Sequence, residues 1–176
     1  MKVVFFGTTE FAVPTLVKLV ESRHDVILVV SRPDRPVGRH QVLTPPPVVE
    51  AAHSFEIECL QPNSLKSEEI DARLRESGVD AAIVVAYGKM IPGRLLEIPR
   101  HGFVNLHPCL LPRHRGPSPI QWALVCGDRA TGVTTMQIDE GMDTGPLLLQ
   151  RRVPIEAGET AEMLAPRLAE IGAELI

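Results

Sequence analysis

Two side chains that can act together on a carbonyl group lie near the end of a short apolar run. Asn105 and His107 alternate in the segment 102–107, whose composition is typical of a buried strand. Because residues two apart in a strand face the same side, an amide and an imidazole are expected next to each other. Both can donate hydrogen bonds to the oxyanion that forms when a carbonyl is attacked. The pair predicts chemistry at a strand's carboxyl end, where open α/β sheets bind their ligands.

A carboxylate completes the candidate site, whereas a nucleophile is missing from it. Asp143 lies in the acidic turn 139–145, and we expect the loop to bring it next to His107. There it would keep the imidazolium populated near neutral pH and accept a proton from an attacking amine. Ser118 lies at the far end of the loop that follows His107, and Cys109 has no activating base other than His107. The attacking atom is therefore expected to belong to a substrate.

The elements that must position these groups follow an alternating pattern. Strands are predicted at 2–7, 25–31, 57–60, 80–87 and 102–107, and helices at 11–22, 67–77, 119–125 and 160–176. Such alternation is typical of a mostly parallel sheet covered by helices. Residues 134–138 and 147–154 are predicted to form an antiparallel pair, because a short turn bounded by glycines joins them. The expected fold class is α/β with a C-terminal antiparallel strand pair.

Finer features of two helices can also be predicted. Ser67 and Thr160 have the side chains of N-cap residues and precede helical patterns. The buried face of the last helix is predicted to contain Met163, Leu164, Leu168 and Ile171.

Two long loops, 32–47 and 108–119, follow predicted strands and should lie at the carboxyl-end rim of the sheet. Loops of this length in a compact domain are usually functional. The first turn has only Gly7 where a dinucleotide fingerprint needs three glycines, and Glu10 would repel a pyrophosphate. No Walker-type phosphate loop is present either. A nucleotide cofactor is therefore not expected.

Composition narrows the class further. The chain has 176 residues, which suits one domain, and its net charge of -4 argues against a broadly basic nucleic-acid face while leaving room for a local patch. The three cysteines are too widely spaced for a metal knuckle, and the histidines show no metal-ligand spacing. No signal peptide or membrane-spanning run is found. We expect a cytoplasmic, soluble protein without a metal.

Several motifs together resemble one known family. Asn-x-His at 105–107, Leu-Leu-Pro-x-x-Arg-Gly at 110–116 and the later Asp143 are similar to the folate-dependent formyltransferases. Further support comes from FGTTEFA at 6–12, PDRPVGR at 33–39, VVAYGKMIP at 84–92 and GVTTMQIDEGMDTG at 132–145, so the resemblance spans essentially the whole chain. The catalytic motif is common to the family. The segments 33–39 and 84–92 favour members that act on charged initiator tRNA.

The resemblance implies a Rossmann-like fold, a reaction and roles for individual residues. The reaction is transfer of a formyl group from 10-formyltetrahydrofolate to the amino group of methionyl initiator tRNA in translation initiation, by an expected monomer. Asn105 and His107 would polarise the formyl oxygen, while Asp143 would orient a water molecule and tune His107. The folate would contact the loop residues Leu111, Pro112, Arg113 and His114 and the pocket wall at Tyr87 and Gly88, and the tRNA would contact Arg35 and Arg39.

Two departures from the family pattern leave alternatives open. His40 and Gln41 follow Arg39 where many relatives carry more lysine or arginine, which predicts weaker phosphate contacts. Members of this type continue into a linker and a β-barrel domain, so residues 1–176 are expected to be the catalytic domain, as a fragment or as a minimal protein. The alternatives are a sibling formyltransferase acting on a nucleotide-linked sugar or a purine precursor, a formyl-folate hydrolase-like domain, and a catalytically silent folate- or RNA-binding module.

Overall fold

The architecture is a seven-stranded sheet, seen in a computed structural model that describes all of residues 1–176. Its lateral order is β5-β2-β1-β6-β7-β8-β9. The first five strands in this order are parallel, whereas β8 and β9 run antiparallel to their neighbours. The predicted α/β class with a C-terminal antiparallel pair is therefore confirmed. The strands are β1 (Lys2–Gly7), β2 (Asp25–Val30), β3 (Arg35–Val37), β4 (Val42–Thr44), β5 (Cys59–Leu60), β6 (Ala81–Val85), β7 (Phe103–His107), β8 (Ala130–Gln137) and β9 (Leu147–Pro154).

Helices cover both faces of this sheet and bury two apolar clusters. They are α1 (Val13–Val20), α2 (Pro47–Ser54), α3 (Glu68–Ser77), α4 (Gly93–Leu96), α5 (Pro119–Val125) and α6 (Ala161–Ala173). One cluster joins the sheet to α1, α2, α5 and α6 and contains Leu106. The other joins it to α3 and α4 and contains Phe103. Asn105 and His107 alternate with Leu106 and therefore project from the same face as Phe103.

The last helix packs unusually closely against the strand that carries the candidate catalytic pair. A Cβ added at Gly172 in α6 would lie 2.5 Å from Cδ2 of Leu106. No ordinary side chain fits at that distance without a shift, so Gly172 lets α6 lie directly on β7. The close packing fixes the residue between Asn105 and His107, and through it the strand.

Local predictions for the helices had mixed outcomes. Thr160 caps α6 as expected, because its Oγ1 accepts a hydrogen bond from Met163 N. Ser67 occupies the N-cap position of α3, but its side chain makes no capping bond, so that part of the prediction was wrong. Met163 is 60% exposed, which contradicts its predicted burial. The buried face of α6 is centred instead on Leu164, Leu168, Ala169, Gly172 and Ala173, which turns the neighbouring position 163 toward solvent.

The segment 32–47, predicted to be a loop, contains regular structure. β3 and β4 form an antiparallel hairpin within it, with every residue of β3 exposed. The segment ends where Pro47 begins α2, since proline is well tolerated in a first helical turn. The helices α2 and α4 were not predicted either. No helix of the chain is both long and apolar enough to cross a membrane.

Candidate active site

The predicted catalytic pair occupies the end of β7 and is supported from the adjacent strand. Asn105 lies opposite Met136 and His107 opposite Thr134 in β8. Met136 packs with Cys109 and Leu111 in a small buried cluster beneath the start of the following loop. His107 itself is 6% exposed. A titratable ring is thus almost completely buried at the carboxyl end of β7, with Asn105 on the same face of the strand.

Both ring nitrogens of His107 face groups that can only accept hydrogen bonds in their usual state. Nε2 lies 3.1 Å from the carbonyl oxygen of His114. Nδ1 lies 3.6 Å from Oδ2 of Asp143. The first contact is a hydrogen bond if Nε2 carries the proton, whereas the second is too long to be one. Nδ1 therefore lies near a carboxylate but is not hydrogen-bonded to it, and it remains free to contact another group.

Asp143 reaches this position because its loop crosses the sheet. The backbone N–H of Ile138 donates to Phe103 O at the amino end of β7, yet Asp143 lies beside His107 at the carboxyl end. The segment between them must run along β7 over the face from which Asn105 and His107 project. Asp143 has a φ of 52°, an uncommon conformation for a non-glycine residue, and its Oδ2 accepts the Gly116 N–H at 2.8 Å. The expectation that Asp143 lies beside His107 is confirmed.

A hydroxyl in β8 fixes the start of the loop 108–119. Oγ1 of Thr134 donates to Cys109 O at 2.6 Å and accepts from Leu111 N at 3.2 Å. Nε2 of Gln150 in β9 lies 2.9 Å from Thr134 Oγ1 and donates to Leu111 O at 2.9 Å. Thr134 is completely buried. The two antiparallel strands therefore set the path of the chain that leaves the candidate catalytic strand.

A carboxylate fixes the middle of the same loop. Oδ2 of Asp128 lies 2.7 Å from Nε2 of His114, and its Oδ1 accepts from Arg113 Nη2 at 2.7 Å. The hydrogen bond to His114 is the main reason that the pKa of Asp128 is lowered, and Arg113 adds to the effect. By holding His114, Asp128 also places the carbonyl oxygen that contacts His107.

The loop residues that the resemblance assigns to the folate therefore differ in the solvent exposure of their side chains. The Leu111 side chain is buried in the small cluster with Met136, and the His114 ring is bound to Asp128. Pro112 is exposed, and the Arg113 side chain is 64% exposed although it is paired. A ligand at the surface of this loop would meet Pro112, Arg113 and the backbone.

The loop after β6 carries the other two residues assigned to the pocket wall. The Tyr87 side chain is buried and packs edge-on against Phe6, with ring centroids 5.5 Å apart. Burial raises its pKa to about 12. Its carbonyl oxygen accepts a hydrogen bond from Thr8 Oγ1 at 2.9 Å. The aromatic ring lies in the core beneath this rim, and Gly88, exposed with a φ of 80°, forms the surface.

Arg35 and Arg39 lie on the β3–β4 hairpin, apart from the groups around His107. Arg35 belongs to β3 and Arg39 to the turn, and both are exposed without an ion pair. The hairpin follows the carboxyl end of β2 and therefore belongs to the same rim as the end of β7. Both guanidinium groups are available to an anion outside the chain.

The thiol of Cys109 is not arranged as a nucleophile. It is buried and its Sγ–H donates to Arg113 O at 2.8 Å. Burial, and secondarily the charge of Asp143, raises the pKa of Cys109 to about 12. A thiol with this pKa stays protonated at neutral pH. Chain groups of three or more His, Cys, Asp or Glu that could hold a metal ion are also absent.

Three supporting residues were not predicted from the sequence. Thr134, Gln150 and Asp128 look like ordinary strand and turn residues in the sequence, and only tertiary pairing brings them to the loop. No local signal marked Thr134 or Gln150. Asp128 follows a glycine in a short turn, which by itself indicates nothing beyond the turn.

Comparison with known proteins places this geometry in a family. The family model described as "Formyl transferase" matches residues 1–176. The chain belongs to this family. It is 49% identical to a methionyl-tRNA formyltransferase of Geobacter metallireducens and 51% identical to one of Acidobacterium capsulatum. Each match covers 100% of the chain but 57% of the relative, so the chain spans little more than half the length of these curated relatives.

Solved structures of formyl transferases share the fold. The phosphoribosylglycinamide formyltransferase of Bacillus halodurans matches with a TM-score of 0.79 at 28% identity, over 99% of the chain and 91% of that protein. Glycinamide ribonucleotide transformylase 1 of Geobacillus kaustophilus matches with a TM-score of 0.78 at 31% identity, over 99% and 93%. The Rossmann-like formyl transferase fold is thus confirmed.

Proposed function

We propose that residues 1–176 form the catalytic domain of a methionyl-tRNA formyltransferase. It transfers the formyl group of 10-formyltetrahydrofolate to the amino group of methionine on initiator tRNA, in the cytoplasm. The observation that carries the reaction type is the position of Asp143 Oδ2, 3.6 Å from His107 Nδ1, beside Asn105 and without an activated nucleophile. The acceptor rests on the relatives of that name, which are 49% and 51% identical.

Asn105 and His107 stabilise the oxyanion in this proposal. When the amine attacks the formyl carbon, negative charge develops on the formyl oxygen. The hydrogen bonds at the site go to His107 and Asp143 and leave the Asn105 amide free to donate to that oxygen. With Nε2 of His107 directed at a backbone carbonyl, a proton on Nδ1 is the one that can reach it. Donors that are already in place cost no reorganisation when the charge forms.

Asp143 removes the proton from the attacking amine. Its Oδ2 is held by the Gly116 N–H, so the carboxylate keeps one orientation while Oδ1 stays available. A water molecule at Oδ1 would relay the proton from the attacking nitrogen to the folate nitrogen, so that the carbon–nitrogen bond to the folate breaks and tetrahydrofolate leaves as a neutral amine. When both ring nitrogens of His107 carry a proton, the carboxylate also balances the charge of the ring across the 3.6 Å separation.

Substrate contacts follow from exposure. We assign the folate to the surface of the loop at Pro112 and Arg113, to the backbone at Leu111 and His114, and to the rim at Tyr87 and Gly88. The initiator tRNA is assigned to Arg35 and Arg39, which are exposed and unpaired on the hairpin. With His40 and Gln41 next in sequence, this hairpin offers few further charges, so its phosphate contacts should depend only modestly on salt.

A purine-precursor formyltransferase is the second candidate. It is favoured by solved structures named for phosphoribosylglycinamide, of which the chain covers 91% and more. Their identity of 28% and 31% is well below that of the methionyl-tRNA formyltransferases. Glycinamide ribonucleotide offered as the acceptor separates the two candidate functions. Only a purine-precursor formyltransferase would formylate it.

The test is formylation of charged initiator tRNA by the protein expressed from its complete gene. We expect formyl-methionyl-tRNA with 10-formyltetrahydrofolate and no product from glycinamide ribonucleotide. His107→Ala should lower kcat about 10²–10⁴-fold while the substitution leaves folate binding intact. Absence of formyl-methionyl-tRNA would refute the acceptor. Release of formate without any acceptor would indicate a hydrolase, and folate binding without turnover a silent module.

A further inference from the structure

Arg32 stands apart from the other arginines of the chain. Five arginines form ion pairs with carboxylates, namely Arg73, Arg94, Arg113, Arg151 and Arg167. The remaining ones are exposed, except for Arg32, which is partly buried and has no carboxylate partner. Its Nε is shielded from solvent and has no hydrogen-bond acceptor within the chain. A cation that is partly withdrawn from water without a counter-charge is costly, so its position calls for a functional reason.

The backbone around Arg32 is held firmly at the end of β2. Ser31 N donates to Leu60 O at 2.9 Å, and Gln61 Nε2 donates to Arg32 O at 3.0 Å. The side chain extends to the loop after β6, where its Nη1 would be 3.2 Å from a Cβ added at Gly88. Gly88 has a φ of 80°, which other residues rarely adopt. The glycine thus leaves room for the guanidinium at this rim.

This location is close to the candidate catalytic pair. Gly88 follows β6, and β6 pairs with β7 so that Val85 lies opposite Leu106. The guanidinium therefore lies against the loop that follows the strand next to the one with Asn105 and His107, at the same rim of the sheet. A guanidinium presents its donors as a planar fork that matches phosphate oxygens.

Two cations at this rim, Arg32 and Lys89, form no ion pair within the chain. Asp34, two residues along the chain, binds Gln61 Nε2 through Oδ1 and makes no ion pair with Arg32. Lys89, next to Gly88, donates to the backbone carbonyls of Pro62 and Asn63 and not to a carboxylate. The two cations therefore retain most of their charge toward an incoming anion.

We propose that Arg32 binds a phosphate at the 3′ end of the tRNA acceptor. The inference rests on the function proposed above. A folate carboxylate has similar chemistry, and the Arg32 guanidinium approaches Gly88, which is assigned to the folate rim, so separate measurements of KM for the tRNA and for the folate distinguish the two anions. In a charged tRNA, only one ribose and the aminoacyl ester separate the reacting amine from the 5′-phosphate of the terminal nucleotide, so a phosphate-binding group is expected at the rim that holds the catalytic pair.

The experiment compares Arg32→Gln with the unsubstituted protein from the complete gene. Loss of one charge-assisted hydrogen-bonding group should raise KM for charged tRNA about tenfold, with kcat and KM for the folate within about twofold. The slope of log KM against log salt should decrease by about 0.7, the value for one contact to a single-stranded phosphate. Arg75→Gln removes the same charge from an exposed residue of α3, whose end lies near the amino end of β1 and thus on the opposite rim of the sheet, and should change neither quantity.

A second pair of substrates isolates the phosphate itself. Adenosine esterified with methionine at the 3′ position, with and without a 5′-phosphate, should differ in kcat/KM with the unsubstituted enzyme. Arg32→Gln should remove that difference. A purely structural role for Arg32 would lower activity with both substrates equally and leave their ratio unchanged.

Each outcome supports or overturns the assignment. An unchanged KM for tRNA and an unchanged salt slope overturn it, and so does a rise confined to KM for the folate. If Arg32→Gln does not fold, Arg32→Met decides, because it removes the charge and keeps an unbranched apolar stem: a raised KM for tRNA at an unchanged melting temperature supports the assignment, and an unchanged KM overturns it. The unsubstituted protein is measured first, so failure to formylate tRNA refutes the proposed function before Arg32 is tested.

Discussion

The hydroxyl of Thr134 in β8 holds the start of the loop 108–119, and two neighbouring threonines of the same strand serve as controls for its contribution to stability. Thr131, Thr134 and Thr135 are all buried, at 2%, 0% and 2% exposure. Thr134 Oγ1 takes part in three hydrogen bonds, Thr135 Oγ1 accepts one from Leu149 N, and Thr131 Oγ1 has no partner. Replacement of each by valine conserves shape and removes only the hydroxyl.

The expected losses of stability follow from these partners. At about 1 kcal/mol for each net hydrogen bond, Thr134→Val should cost about 3 kcal/mol and Thr135→Val about 1 kcal/mol. Thr131→Val should be neutral or stabilising by up to about 1 kcal/mol, because it removes a buried hydroxyl without a partner. With a urea m-value of about 2 kcal/mol/M, the unfolding midpoints should shift by about 1.5 M, 0.5 M and zero or slightly upward.

Equilibrium urea unfolding of the four proteins measures these differences, and steady-state formylation gives the functional readout. Thr134→Val alone should also lower kcat, because its hydroxyl fixes Cys109 and Leu111 at the start of the loop. The reasoning is refuted if Thr134→Val costs no more stability than Thr135→Val. It is equally refuted if the two variants have the same kcat, since the loop would then not depend on the β8 hydroxyl.

Two further predictions concern titration and thiol chemistry. The pKa of Asp128 is lowered in the folded state, so its contribution to the free energy of unfolding is fully present above the ordinary carboxyl pKa and is lost as pH falls through the folded value. Asp128→Asn should therefore weaken the pH dependence of the free energy of unfolding below about pH 4, as measured by urea unfolding. An aromatic disulfide reagent at pH 8 should label the exposed Cys126 rapidly, whereas Cys59 and Cys109, whose pKa values are raised to about 11 and about 12, should react only on unfolding. Rapid labelling of Cys109 in the folded protein would contradict the structure.

The parts of the site that lie within one strand could be predicted from the sequence. Asn105 and His107 are two residues apart in an apolar run, and the period of a strand alone places them on one face. The parallel strands were likewise predicted by alternation of apolar runs and helical patterns. These features depend on local periodicity, which the sequence carries directly.

Features that depend on tertiary contacts were predicted incompletely. The acidic turn 139–145 predicted Asp143 beside His107, but the route of its loop along β7 follows only from the hydrogen bond between Ile138 N–H and Phe103 O. The hairpin β3–β4 was missed because prolines and charged residues in 32–47 indicate a loop. Met163 was misplaced since several rotations of α6 bury an apolar stripe, and the close contact of Gly172 with Leu106 selects one of them.

A series of polar contacts connects β8 and the turn before it to the His107 ring. Thr134 fixes the chain at Cys109 and Leu111, Asp128 fixes it again at His114, and the His114 carbonyl contacts His107 Nε2. Loss of the hydrogen bonds of Thr134 or of Asp128 would therefore shift the His114 carbonyl. The His107 ring would rotate with it, and Nδ1 would move away from Asp143. Since the formyl oxygen would be held by Nδ1–H only near the transition state, such a rotation should reduce kcat more than it weakens substrate binding.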